Sequence, residues 1–435
     1  MAQNGNSAPH QTDLPIAIVG GGLGGLALAV GLRKHGIKIH IYEAAPVFSE
    51  IGAGVTFGAN ATRALGLIDP RLLQGYKKHA TNNDSPGLDD VFLSVRWGTD
   101  ESRERGHKAG DYIGDLRDDW DSAKRSGIKA RSCIHRARFL DVLVSMIPEG
   151  ITSFGKRFES VEELRDGTLK LHFTDGSHAF ASAMIGCDGI KSKARKAVLG
   201  PKVEPSYTGE HAYRAMVPRA EAEAALGADL ARNGQIYFGY GGYIVTESVA
   251  HGEFTNMVAI PHEPDESWVW DETGWAGPAH RDDFSRRFRG FYHPLVKVFR
   301  KYCHPVKWAL FDLQHNTPYY RGRMCLLGDA AHATTPHMGA GAGMAMEDAY
   351  ILSNLIAAAH GTSDLEDAFR AYDAVRRPRT QMLVERSKHA GLLMDFMMPG
   401  IGDDTNVIMK RLMSSYHWVW HEDLEAQLEH AKSLV

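Results

Sequence analysis

Hydrophobic residues fall into short continuous runs in the first part of the chain and change texture twice further along. Residues 16–19 are apolar throughout, which suits a strand buried on both faces. The stretch LGGLALAVGLRKH, 23–35, reads as a helix that Gly36 stops. Residues 37–42 alternate as a second strand, so the opening segment predicts one βαβ unit. Residues 52–67 read as a turn and then a short helix, 82–90 as a loop, and 91–97 as a strand. The polar, charged stretch 103–127 has no apolar stripe and reads as surface loop, with a mobile lid as the alternative.

Residues 138–146 look helical, and Pro148 closes them. A meander follows: strands at 158–162 and 169–173, with Asp-Gly turns at 166–167 and 175–176. Residues 183–186 form another short buried run. From about 201 to 307 short β-type runs recur at 211–217, 235–238, 243–248 and 256–260, with many aromatics among them. Residues 323–327 return to the buried-strand pattern, and 344–359, 364–372 and most of the remainder are helical. The fold class expected is α/β: a Rossmann-like dinucleotide-binding domain, an inserted mostly β-sheet domain and C-terminal helices. The expected division is a disordered tail at 1–13; a discontinuous nucleotide domain from 14–80, 131–200 and 308–375; a substrate domain from 81–130 and 201–307; and a helical region at 376–435.

Composition narrows the class. The chain has 435 residues, 43% of them apolar, enough for a sizeable core. A formal charge of -4 gives no global reason to expect nucleic acid or an anionic membrane as partner. The four cysteines are scattered and form no CxxC pair, which suits a reducing, cytoplasmic setting. The first twelve residues carry no Lys or Arg and do not read as a signal peptide.

The chemistry starts at the glycines. Gly20, Gly22 and Gly25 satisfy GxGxxG between a predicted strand and helix, and Glu43 closes the next strand at the distance of a ribose-binding acid. Gly20 permits a tight turn, Gly22 lets the backbone approach a pyrophosphate, and Gly25 allows close helix–strand contact. The helix N-terminus faces the phosphates with its positive end. This unit alone does not separate FAD from NAD. Two later segments bear on that choice. Asp188-Gly189 follows the predicted strand at 183–186, with Arg195 beyond it, and Gly328-Asp329 follows the one at 323–327. The run from Gly339 to Gly343 can lay backbone N–H groups along a phosphate or a reduced flavin ring.

With GxGxxG, DG and GD present in that order, the chain resembles the single-component FAD-dependent aromatic hydroxylases of the p-hydroxybenzoate hydroxylase type. The stretches IYEAAP, GAGVTFGANATRAL, IHRARFLDVL, AYRAMV, PHMGAGAGMAMEDAY and HWVWHEDLEAQLEHA make it similar to their salicylate hydroxylase branch. The resemblance implies non-covalent FAD lying over Gly20, Gly22, Leu23 and Gly25, with its adenine ribose at Glu43 and Ala44. Arg136 would reach the flavin side, Asp329 would hold the ribitol–pyrophosphate region, and the DG motif at Asp188 would serve FAD and support the nicotinamide coenzyme. Pro336, Gly339, Gly341 and Ala342 would border the ring. NADH or NADPH would be a co-substrate without a Rossmann domain of its own. The implied reaction hydroxylates a small phenolic acid with O2 through a flavin C4a-hydroperoxide, above all salicylate to catechol with loss of CO2. Alternatives are 3-hydroxybenzoate, a hydroxynicotinate or a urate-like ring, or an oxidase or dehydrogenase that inserts no oxygen.

His337, between the GD motif and the glycine run, is the expected polar group beside the phenol; the alternative is a histidine that holds the turn. Tyr213, on the predicted strand at 211–217, is expected at the substrate as a second catalytic group. Arg214 then points to the opposite face and reads as a structural ion-pair residue. Phe238, Tyr240 and Pro336 are expected to line the substrate pocket, with Tyr243, Trp268, Trp270 and Trp275 as further aromatic candidates, although WVWDETGW reads rather as an exposed turn or domain contact. His332, His337 and Asp329 do not form a metal motif, so no metal is expected; His332 reads as a bond within the turn. No membrane or nucleic-acid partner is expected, and the state is monomer or homodimer.

Overall fold

The computed structural model describes residues 14–48, 54–100, 106–118, 129–262 and 275–435. Among the described residues, strands assemble into a six-stranded sheet, an eight-stranded sheet and two small ones of three and two strands. The six-stranded sheet runs Tyr320–Arg321, Met324–Leu326, Ala183–Gly186, Ile16–Val19, Ile39–Tyr42, Thr152–Ser153. All its pairings are parallel except that of the first two strands. Ile16–Val19 sits near its centre and is buried along its whole length, as a parallel strand covered on both faces must be. The helix Leu23–Lys34 covers one face and packs against the helix Gly341–Ala358. Leu23, Leu26, Leu28, Val30 and Leu32 are all buried. Side chains of that size contribute about 1.5–3 kcal/mol each, which explains a helix apolar nearly all round.

The eight-stranded sheet reads Ala276–Pro278, Val306–Asp312, Ser206–Pro218, Phe254–Pro261, Gly242–Val249, Gln235–Gly239, Val91–Trp97, Tyr112–Arg117. It is antiparallel apart from the pairing of Gln235–Gly239 with Val91–Trp97. The three-stranded meander of Phe158–Glu163, Leu169–Phe173 and His178–Ala181 has the expected turns. The C-terminal part is helical: Leu365–Met394, Thr405–Trp420 and Leu424–Lys432.

Several expectations need correction. The described part of the 103–127 stretch holds the strand Tyr112–Arg117, not a loop. It is an edge strand whose place is set by its ladder with Val91–Trp97, and only Leu116 is buried, so its own sequence shows no apolar alternation. Within 52–67 the strand Gly54–Phe57 precedes the helix Ala59–Ile68, and it pairs with Ser132–His135. The expected boundary at 307/308 falls inside Val306–Asp312, a strand of the eight-stranded sheet. The one at 375/376 falls inside Leu365–Met394, a single helix that continues through Pro378. The tail at 1–13, Trp268 and Trp270 lie outside the described residues. No helix among the described residues is long and apolar enough to cross a membrane.

Candidate active site

Two adjoining cavities run along the carboxyl ends of the parallel strands. The first, about 480 Å³, is lined by Gly20, Gly22, Glu43, Ala44, Asp188 and Trp275 among others. Gly20 has φ +103°, and a Cβ there would lie 2.5 Å from the Cys187 carbonyl oxygen, so the turn admits only glycine. A Cβ on Gly22 would meet nothing within 4 Å, because it would point into the trough. Gly25 lines neither cavity; a Cβ there would collide with the Gly20 carbonyl, which is the close helix–strand approach expected of it. Glu43 is fixed by Gly21 N–H and Ala45 N–H, each donating at 2.7 Å to one carboxylate oxygen. Each oxygen keeps acceptor capacity toward the cavity.

Asp188 lines this trough, but its carboxylate serves its own loop. It accepts from Ser192 Oγ at 2.5 Å, Lys193 N–H at 2.8 Å and Ala194 N–H at 3.1 Å. Arg195 ties the DG loop to the GD loop, donating to the Ile190 carbonyl at 2.7 Å and the Ala330 carbonyl at 3.3 Å.

The second cavity, about 410 Å³, shares Gly22, Cys187 and Gly189 with the first. Leu23, Arg136, Asp329, Pro336, His337, Gly339, Gly341 and Ala342 all line it. Asp329 opens a short helix after Met324–Leu326 and is exposed. A buried polar network holds that loop from below. His332 Nε2 lies 2.6 Å from Asp348, Gly328 N–H donates to Asp348 at 3.2 Å, and Arg376 bridges Asp348 and Glu347 at 2.8 and 2.7 Å. His332 thus bonds not within the turn but to Asp348 on the helix Gly341–Ala358, while the two ring nitrogens of His337 meet Tyr243 and Glu210.

The far wall of the second cavity is the eight-stranded sheet, and its register decides which side chains face inward. Arg214 pairs with Val258, Val258 with Val245, and Val245 with Ile236; all four line the cavity. One row along, Ala212, Ile260 and Tyr243 face the same way. Tyr213, between Ala212 and Arg214, points to the opposite face. It is fully buried beside Phe284, its hydroxyl bonds Asp283, and its ionisation is pushed up by burial and then by that carboxylate. The faces expected of Tyr213 and Arg214 are thus exchanged: Arg214 lines the cavity and Tyr213 does not. Arg214 forms no ion pair among the described residues; its guanidinium stands 4.9 Å over the Trp308 ring, and burial followed by Arg136 depresses its pKa.

Phe238 and Tyr240 are also displaced from the expected pocket. Phe238 is buried against Phe396, which follows the long helix and covers it. Tyr240 sits at the hairpin turn, and its hydroxyl donates to Asp403 at 2.6 Å. Tyr243, named only as a general aromatic candidate, is the tyrosine on the cavity wall from this sheet, and its Oη lies 2.9 Å from His337 Nδ1. His337 Nε2 lies 3.2 Å from Glu210 Oε2. Both ring nitrogens are therefore engaged. Strand alternation could have found Tyr243 and Arg214 once one inward residue was known; the sequence did not say which.

Glu210 also lies 3.5 Å from His262 Nδ1, which lies 3.3 Å from Asp395. These two contacts have ion-pair distance without hydrogen-bond alignment. Burial alone would raise the Glu210 carboxyl, but His262 and His337 outweigh it and hold it at about 2. His262 is raised to about 10 by Asp395 and then Glu210, while burial lifts Asp395 to about 6.

The two cavities make one elongated trough: a glycine cradle and the Glu43 carboxylate at one end, a glycine-rich loop and an exposed aspartate further along. That arrangement fits an extended flavin dinucleotide. A family profile described as "FAD binding domain" matches residues 306–387, and one described as "NAD(P)-binding Rossmann-like domain" matches 18–55. Over 426 residues the chain is 36% identical to 6-methylsalicylate 1-monooxygenase atA of Aspergillus terreus, covering 96% of this chain and 92% of the relative. It is 36% identical over 439 residues to a salicylate hydroxylase of Pseudomonas putida, covering 98% and 96%. A solved salicylate hydroxylase substrate complex superposes with TM-score 0.82 at 32% identity, over 97% of this chain and 98% of that one. Likeness along nearly the whole length, joined to this trough, means that the chain belongs to the single-component, NAD(P)H-using FAD-dependent aromatic hydroxylases and is closely related to salicylate hydroxylase.

Proposed function

We propose that this enzyme hydroxylates a small phenolic acid, with salicylate converted to catechol and CO2 as the leading reaction. The observation that carries the reading is the second cavity. An Arg214 guanidinium without an ion-pair partner among the described residues and the Tyr243–His337 pair share one chamber, and Ile236, Val245 and Val258 supply an apolar surface between them. A carboxylate suits the first, a phenolic hydroxyl the second and an aromatic ring the third.

FAD, once reduced by NAD(P)H, supplies the activated oxygen. Gly20, Gly22, Leu23, Glu43 and Ala44 would hold its nucleotide half, and Arg136, Asp329, Pro336, Gly339, Gly341 and Ala342 its ribitol and ring half. Asp188 supports the loop between the halves. Arg214 orients the ring by its carboxylate. Tyr243 Oη accepts the substrate hydroxyl proton, and His337 takes up the tyrosine's own, which raises electron density on the ring carbon to be attacked. The apolar sheet face excludes water from that carbon. A cytoplasmic setting supplies the reduced coenzyme.

A ring-alkylated salicylate is the second reading, supported by the apolar wall and the likeness to a 6-methylsalicylate monooxygenase. The test is a panel of phenolic acids given to the yellow protein with NADH or NADPH, following coenzyme loss, CO2 release and aromatic product. Catechol with stoichiometric CO2 supports the leading reading. Coenzyme loss that returns all oxygen as peroxide across the panel defeats it.

A further inference from the structure

We infer that Glu210, His262 and Asp395 form a site for one divalent transition-metal cation of the Zn2+ class, which pins the end of the long helix to the eight-stranded sheet. The inference goes beyond the proposed hydroxylation and does not rest on it. Glu210 stands on the strand Ser206–Pro218, His262 directly follows the strand Phe254–Pro261, and Asp395 caps the C-terminus of the helix Leu365–Met394. Each contributes one ligand atom, and all three atoms lie within 4.8 Å of one another.

Such groups often cluster without a metal; Asp395 sets this cluster apart. Its side chain is 0% exposed, and neither carboxylate oxygen accepts a hydrogen bond. A buried carboxylate ordinarily collects donors, because without them it forfeits its hydration for nothing in return. Asp348, equally buried, shows the ordinary arrangement, with His332, the Gly328 N–H and Arg376 around it. Among the described residues Asp395 has only His262 at ion-pair distance, and the His262 Nδ1 atom likewise makes no hydrogen bond. Two unsatisfied groups thus point at each other with Glu210 beside them.

The spacings suit a metal better than hydrogen bonds. His262 Nδ1 lies 3.3 Å from Asp395 Oδ2 and 3.5 Å from Glu210 Oε1. Ligands held tetrahedrally at about 2.0–2.2 Å from Zn2+ stand about 3.3–3.6 Å apart. The remaining edge, from Glu210 to Asp395, is within 4.8 Å and closes by rotation of the Asp395 carboxylate, which no donor holds. Two carboxylates and a neutral imidazole balance the charge of a divalent cation. Imidazole with carboxylates and no thiolate suits Zn2+ or Mn2+, whereas Ca2+ and Mg2+ call for more oxygens. His262, 27% exposed, opens the entry path and leaves the fourth position to water. Glu210 is steadied from its other side, where Oε2 lies 3.2 Å from His337 Nε2, the kind of outer contact that orients a ligating carboxylate. The backbone holds the other two together, since Gly241 N–H donates to the Asp395 carbonyl at 3.1 Å and His262 N–H to the Gly241 carbonyl at 2.9 Å.

The experiment takes the full-length, FAD-loaded enzyme, strips it with EDTA and dialyses it against ZnCl2. Metal analysis is expected to find about one Zn2+ per chain. At a hundredfold excess over Kd, Zn2+ is expected to raise the unfolding temperature by about 3 °C. Asp395→Asn and His262→Gln are each expected to weaken Zn2+ binding at least about a hundredfold with flavin content unchanged. X-ray absorption at the zinc edge is expected to show nitrogen and oxygen neighbours at about 2.0–2.2 Å and no sulfur. If Asp395→Asn does not fold, His262→Gln, at the partly exposed member, decides the question alone. A merely packing role for these residues leaves zinc uptake the same in wild type and variants. Zinc at background in the wild type, equal uptake by the folded variants, or a sulfur shell at about 2.3 Å that points to a cysteine, overturns the site. No substrate enters these readings, so failure of the phenolic-acid panel leaves the site standing, and absence of zinc leaves the hydroxylation standing.

Discussion

Replacing Arg214 by Met tests the assignment of the cavity most directly. The substitution keeps an unbranched stem against Trp308 and removes the guanidinium 4.9 Å above that ring. A substrate carboxylate on Arg214 would gain charge-assisted hydrogen bonds of about 1.5–3 kcal/mol each. Two such bonds, less the cost of ordering the side chain, put the expected loss at about 2–4 kcal/mol for a carboxylated ligand. At about 1.4 kcal/mol per factor of ten, salicylate should bind roughly 30- to 1000-fold more weakly. The fold itself should not suffer by that amount, because burial and the neighbouring Arg136 already disfavour the charge at this position. The assay is the perturbation of the flavin spectrum in the loaded enzyme, titrated with salicylate and with salicylamide. The neutral amide has nearly the same shape and should lose less than about threefold, under 1 kcal/mol. Equal losses for both ligands, or no loss for salicylate, would refute the reasoning.

Tyr243→Phe should reduce hydroxylation by at least about a hundredfold, the lower range for losing a proton-transfer partner, while Tyr213→Phe leaves turnover unchanged and costs only about 1 kcal/mol of stability; product formation and thermal unfolding of both variants check this. His337→Asn should lower product per NADH consumed more than it lowers FAD affinity, measured by coupling ratio and flavin titration. Gly22→Val should fold like the wild-type apoprotein yet fail to retain flavin, whereas Gly20→Ala should itself unfold at lower temperature, because only the second meets backbone and a positive φ; calorimetry of apoproteins with and without FAD separates them. Arg376→Met should cost about 3–5 kcal/mol, because it leaves Glu347 and Asp348 buried with fewer partners. Burial opposes ionisation of both carboxyls, but their cationic neighbours hold each at about 2. Their contribution is therefore present above the ordinary carboxylate range and lost as pH falls toward 2, so wild-type and variant stabilities should converge on acidification.

The sequence determined the nucleotide end almost completely. GxGxxG and Glu43 are local features: a turn, a helix start and a strand end within 24 residues, each fixed by near neighbours. The GD loop and the glycine run were legible for the same reason, whereas the partner of His332 was not, because Asp348 lies a helix away. Tertiary structure decided the substrate end. Alternation says that Tyr213 and Arg214 face opposite ways, but which faces inward depends on which side of the sheet meets the trough, and that is set by strands and helices far away in sequence. Phe238 is on the inward row and still misses the cavity, because Phe396 from the other end of the chain covers it. The group proposed to stand beside the phenol shows the same division. His337 was visible from its motif, but its partners Tyr243 and Glu210 lie 94 and 127 residues away. Local sequence fixes backbone conformation through short-range sterics and hydrogen bonds; packing of distant segments alone selects which side chains converge on one ring.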